Sequence, residues 1–194
     1  MKLVCIGDSL TFGYGVNKNE NWLHLVNGKY NIQTINKGLN GDTTAGMLFR
    51  FYEDVILNKP EYVFIMGGTN DFLMNYSIKN VQQNIKELIN DVKKEKIKIV
   101  LGIQPPIIEN LARRYWQSND NYEQINHQIS EYEKWAINFA KENNFMYINF
   151  YKEFISYLDK NTETTLYIDG IHPTPKGHEI MAKLALKVLS KLNK

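Results

Sequence analysis

A chain of 194 residues with 43% apolar and 23% charged residues reads as one globular domain large enough to bury a substantial core. Its 23 basic residues against 21 acidic ones leave a net charge of +2, which gives no electrostatic footprint for nucleic acid or an acidic membrane surface. The single cysteine, Cys5, rules out an internal disulfide, and its place in an apolar run makes it a small buried hydrophobe rather than a reactive thiol. No stretch reaches transmembrane length and the apolar start is too short for a signal-peptide core, so the expectation is a cytoplasmic chain without membrane insertion.

The first apolar run, Lys2–Gly7, reads as a buried strand that delivers the chain into GDSLTFGYG, residues 7–15. Trp22–Gly28 then reads as a helix, Ile32–Lys37 as a second strand and Thr43–Leu57 as a second helix. A third strand over Tyr62–Met66 ends in GGTND, residues 67–71. Val81, Ile85, Leu88, Ile89 and Val92 recur at helical spacing within Val81–Lys96, and the charges of Asp91–Lys98 form the solvated end of that helix. Ile97–Ile103 reads as a fourth strand, Tyr122–Asn143 as a long helix and Met146–Phe150 as a fifth strand. The last helix has Thr174 as its N-cap, Pro175 at its first position and an apolar face running from Ile180 to Leu192.

Strands alternating with helices imply a parallel sheet covered on both faces, with ligands at the carboxyl ends of the strands. Ser9 follows the first strand, Gly67–Asp71 the third, and Gln104-Pro105-Pro106 the fourth, so three polar or Gly/Pro loops meet at one edge. A serine becomes a nucleophile only with a base to take its proton and donors for the oxyanion. Of the four histidines, His24, His127 and His178 fall in helical patterns and read as surface or half-buried helix residues. His172 lies instead in DGIHPTPKG, residues 169–177, where Pro173 favours extended backbone and Gly170 permits a tight bend, so Asp169 can orient the imidazole. Asn70 offers a side-chain amide donor, and Gly38 and Gly41 offer backbone donors. Asp8 and Asp71 read as caps or braces outside the catalytic set.

These four blocks together resemble the SGNH, or GDSL, hydrolases. Gly7-Asp8-Ser9-Leu10 matches the nucleophile block and Gly41 the backbone-donor glycine. Gly68-Thr69-Asn70-Asp71 matches the oxyanion block, with Gly67 as an added residue, and Asp169-Gly170-Ile171-His172 matches the block of orienter and base. GDSLTFGYG, NGDTT, ARRY and DGIHP are similar to the compact bacterial acyl esterases of the thioesterase/lysophospholipase type. The resemblance implies a single-domain three-layer α/β/α fold, flavodoxin-like, with a five-stranded parallel sheet over residues 1–194. It further implies an acyl-enzyme on Ser9, His172 as base, Asp169 as its orienter, and an oxyanion hole from Ser9 N–H, Gly41 N–H and the Asn70 amide. Neither a metal nor a cofactor is called for.

Phe72 and Leu73 after the third strand, Ile107 and Ile108 after the fourth, and Ile171 are expected to wall an acyl chain, which favours small acyl esters or thioesters of short to medium length. An acetylated sugar is the alternative substrate, with Tyr14, Tyr76, Tyr115 and Trp116 as stacking rings. A non-catalytic flavodoxin-like binding module is the third reading, and the absence of a GxxxxGK[ST] phosphate loop stands against it.

Overall fold

The computed structural model describes residues 1–116, 121–158 and 163–193. Five strands, β1 (Lys2–Gly7), β2 (Gln33–Gly38), β3 (Tyr62–Met66), β4 (Lys98–Ile103) and β5 (Met146–Asn149), form one sheet in the order β2-β1-β3-β4-β5. Every pairing is parallel, with Gly7 opposite both Gly38 and Met66 at the carboxyl end of β1. This order reverses direction between β1 and β3, and the crevice at such a switch point is where open α/β sheets take their ligands.

In chain order the helices are α1 (Ser9–Phe12), α2 (Trp22–Val26), α3 (Thr44–Asp54), α4 (Thr69–Leu73), α5 (Ile78–Lys94), α6 (Glu109–Tyr115), α7 (Tyr122–Glu142), α8 (Phe150–Leu158), α9 (Glu163–Leu166) and α10 (Pro175–Leu189). The period-2 alternation of the strands divides the core between the two faces. Val4, Ile6, Val63, Ile65 and Leu101 face Met47 and Phe51 of α3, Ile85 and Leu88 of α5, and Ile129 and Ala136 of α7. Leu3, Cys5, Phe64 and Val100 face Trp22 of α2, Phe154 of α8 and Met181 and Ala185 of α10. The three-layer α/β/α expectation holds, and Cys5 is buried as a free thiol.

Several boundaries move for local reasons. The second strand is Gln33–Gly38 rather than Ile32–Lys37, and the fourth begins at Lys98. Phe150, read as the end of the fifth strand, instead opens α8, because its apolar neighbours continue at helical spacing toward Phe154. Helix α5 starts three residues before Val81, where the Ser77 side chain accepts from the Asn80 N–H and caps it. Helix α3 stops at Asp54 and passes into a 3-10 turn over Ile56–Asn58. The last helix is as expected, with the Thr174 hydroxyl accepting from the Gly177 N–H. No described helix is long and apolar enough to cross a membrane.

Candidate active site

The nucleophile candidate sits where the strand turns straight into a helix. Asp8 accepts from the Leu10 N–H at 2.9 Å and caps α1, leaving Ser9 as its first residue. The amide of a first helical residue has no intrahelical partner, so the Ser9 N–H is free to meet an anion. The turn is tight enough to demand glycine before it. A Cβ on Gly7 would lie 2.2 Å from Thr11 Oγ1 and 2.7 Å from the Met66 carbonyl oxygen.

His172 reaches this serine from the far end of the chain. The Ser9 hydroxyl lies 2.9 Å from His172 Nε2, and Asp169 Oδ2 lies 2.7 Å from Nδ1. An ionised carboxylate only accepts, so Nδ1 carries the proton and Nε2 accepts from the serine. Asp169 Oδ1 accepts from the backbone N–H groups of Ile171 (3.0 Å) and His172 (2.8 Å). Burial works to raise the Asp169 pKa, but the His172 ring and these two amides outweigh it and hold the carboxyl below its usual value. Both residues are nearly buried, at 7% and 5% exposure, as is Ser9 at 7%.

The loop that carries them is bolted to the sheet edge. Gly170 has φ +91°, and its carbonyl accepts from the Ile108 N–H at 2.7 Å, at the start of α6. A Cβ there would lie 2.4 Å from Ala112 N, so glycine is required both by conformation and by close approach. Tyr167 closes the same loop by donating its hydroxyl to the Pro106 carbonyl at 2.6 Å.

The two expected oxyanion donors, Gly41 and Asn70, lie in loops joined by a hydrogen bond. Asn70, in the first turn of α4, donates one amide hydrogen to the Asp42 carbonyl at 2.8 Å, which leaves the second available. Gly41 adopts φ +75° in the turn between β2 and α3. Asp42 and Asn70 therefore tie the two donor-bearing loops together. Arg50 braces this corner from α3: its guanidinium meets Asp42 at 2.7 Å and Asp54 at 2.6 Å, and donates to the carbonyls of Lys37 and Gly7. Asp71 is a brace as expected, accepting from the Thr44 N–H and hydroxyl at 2.9 and 2.6 Å. Asp8 is a cap, but also more: it is 1% exposed with Oδ2 unpartnered, and burial pushes its pKa up to about 7 against the pull of the Leu10 N–H and His172.

Burial bears on three expectations. Phe72 is wholly buried and packs α4 against Tyr132 of α7. Ile107, at 3% exposure, belongs to the same core, its backbone clasped by the Asn126 amide through two hydrogen bonds. His178 is not a surface or half-buried residue: it is fully buried in α10, where its Nδ1 accepts from the Trp22 N–H at 3.3 Å. Ile108 and Ile171 are 8% and 7% exposed, and Leu73 is half-buried. An arginine within a helix pattern signals only its charge, so nothing in the sequence marks Arg50 as part of this corner.

Ser9, His172 and Asp169 thus meet at the carboxyl edge of the parallel sheet in a three-layer α/β/α domain. Residues 5–180 match the GDSL-like Lipase/Acylhydrolase family, and the chain belongs to that family. It is 28% identical to Thioesterase 1/protease 1/lysophospholipase L1 of Escherichia coli K12 over 192 residues, 98% of this chain and 84% of the relative. It is 25% identical to an acetylxylan esterase of Geobacillus stearothermophilus over 167 residues, 85% of this chain and 75% of the relative. In fold it is similar to a member of the lipolytic protein G-D-S-L family from Veillonella parvula DSM 2008, with a TM-score of 0.84, 22% identity, and coverage of 98% of this chain and 99% of that one.

Proposed function

We propose that the protein hydrolyses small acyl esters or thioesters of short to medium chain length through an acyl-enzyme on Ser9. The observation that carries this reading is the unbroken relay from Asp169 Oδ2 through the His172 ring to Ser9 Oγ, at 2.7 and 2.9 Å. His172 takes the Ser9 proton as Oγ attacks the carbonyl carbon, and Asp169 stabilises the imidazolium that forms. The oxyanion is met by the N–H groups of Ser9 and Gly41 and the Asn70 amide. His172 then gives its proton to the leaving oxygen or sulfur, and the relay repeats with water to free the acid. Near-complete burial of Ile108 and Ile171 and full burial of Phe72 favour the short end of the acyl range.

A second reading, deacetylation of a carbohydrate with the same residues, is favoured by one observation. Tyr14 and Trp116, 40% and 48% exposed, both border the His172 ring.

Hydrolysis of p-nitrophenyl esters from acetyl to decanoyl by the wild type and by Ser9→Ala tests the reading. Activity that disappears in the variant and declines with chain length is the expected result. Equal activity in both proteins removes Ser9 from the mechanism.

A further inference from the structure

The segments that carry Ser9, Gly41 and Asn70 are all referred to one side chain. The Gly7 carbonyl, two residues before Ser9, accepts from Arg50 Nη2 at 3.0 Å. Gly41 is followed at once by Asp42, whose Oδ2 accepts from Arg50 Nε at 2.8 Å and lies 2.7 Å from Nη2. The Asp42 carbonyl in turn accepts from the Asn70 amide at 2.8 Å. A guanidinium is planar and holds its N–H groups at fixed angles. Meeting Gly7 and Asp42 with one such fork therefore fixes the gap between the two segments, and Asn70 follows Asp42.

The fork is itself anchored. Nη1 donates to the Lys37 carbonyl at 2.8 Å and to Asp54 at 2.6 Å. Gly46 lies one turn before Arg50 on α3, and a Cβ there would collide with Asp42 Oδ1. A glycine inside a helix weakens it, so α3 gives up intrinsic stability to seat this carboxylate. The surrounding elements have other ties as well: Asp71 accepts from the Thr44 N–H and hydroxyl, and Lys37 holds Asp54 at 2.8 Å. Resting on the serine-hydrolase reading above, we propose that Arg50 is a positioning residue for the oxyanion hole, setting the mutual spacing of the Ser9, Gly41 and Asn70 donors through Gly7 and Asp42. Its effect then falls on the transition state, where the carbonyl oxygen becomes an anion and donor placement counts, and leaves ground-state binding alone.

The test is a double-mutant cycle on p-nitrophenyl butyrate with Arg50→Lys and Asn70→Ala, with the thermal midpoint of each variant measured alongside. Lysine keeps a cation opposite the buried Asp42, so the fold is retained, but its ammonium has no planar fork to fix Gly7 against Asp42. Arg50→Lys is expected to lower kcat about tenfold, with KM within about twofold of wild type. The double variant is expected to fall short of the product of the two single losses by about threefold or more, because a displaced hole has less to lose with Asn70. Losses that multiply more closely than that, a loss carried by KM, or a wild-type kcat in Arg50→Lys whatever its thermal midpoint, each reduce Arg50 to a structural brace and overturn the proposal. Ser9→Ala runs beside the cycle. Activity lost in Ser9→Ala together with a multiplicative cycle defeats the positioning role alone. Activity that survives Ser9→Ala, or an inert wild type, defeats the hydrolase reading and the positioning role with it.

Discussion

Two histidines six residues apart are both buried in this protein, and they do opposite things with burial. His172 lies in a clamped loop with a side-chain partner on each nitrogen, Asp169 on one and Ser9 on the other. His178 lies in α10 with a backbone N–H on one nitrogen and no partner on the other. Burial, and to a lesser degree the nearby His172, depresses the His178 pKa to about 4 although Glu20 opposes it, so its ring stays neutral as a packing element. The partner set, not the depth, separates the proposed proton carrier from a core residue.

The comparison breaks most visibly on substitution to alanine. His172→Ala removes the base of the proposed relay and is expected to cut kcat by about a thousandfold or more in an ester-hydrolysis assay. Asn70→Ala withdraws one oxyanion donor and is expected to cost about 2.7–4 kcal/mol in transition-state stabilisation, read as kcat. His178→Ala reverses the pattern: a cavity beside Trp22 and an orphaned amide are expected to cost about 2–4 kcal/mol of stability in a denaturant melt, with kcat per folded molecule close to wild type.

A smaller effect sharpens it. Because the folded His178 pKa is depressed to about 4 from 6.5, the stability it contributes is full above 6.5 and is lost as pH falls toward 4. Asp8 has the opposite slope: with its folded pKa raised from 3.8 to about 7, stability is full below 3.8 and is lost as pH rises toward 7. The two oppose each other between pH 4 and 7, so the wild-type profile from these groups is flattened. Asp8→Asn keeps an oxygen to accept from the Leu10 N–H and leaves the His178 slope exposed, with stability rising from pH 4 to 7. His178→Gln exposes the Asp8 slope, with stability falling over the same range. Chemical denaturation at half-unit pH steps measures both, and parallel profiles in the two variants contradict the assignment.

What was readable beforehand follows from how far apart the deciding residues lie. The alternation of Leu3, Val4, Cys5 and Ile6 and the helical spacing of Val81, Ile85, Leu88 and Val92 are local, and they gave the five strands and the longest helices nearly at their true limits. The contacts among Ser9, Asp169 and His172 were legible because each sits in a short block with its own turn chemistry. The burial of His178 was not, since it depends on Trp22, 156 residues earlier in the chain. Nor was Arg50, whose partners come from β1, β2 and the turn before α3. Phe150 misled for a different reason: a short apolar run at a strand end looks the same whether the chain continues extended or coils. Apolar loop residues at a sheet edge carry the same signal whether they meet a ligand or the core, and Phe72 and Ile107 lie in the core.

The distance from Ser9 to His172, 163 residues, also sets when the site can exist. At synthesis rates of roughly 5–20 residues per second, the serine leaves the peptidyl-transferase centre about 8–30 seconds before the histidine is added. Throughout that interval the nascent chain carries the serine without its base, so the proposed chemistry has a built-in delay. A ribosome-bound product ending before residue 169 should be inert toward esters, and catalysis should begin only when the closing loop docks.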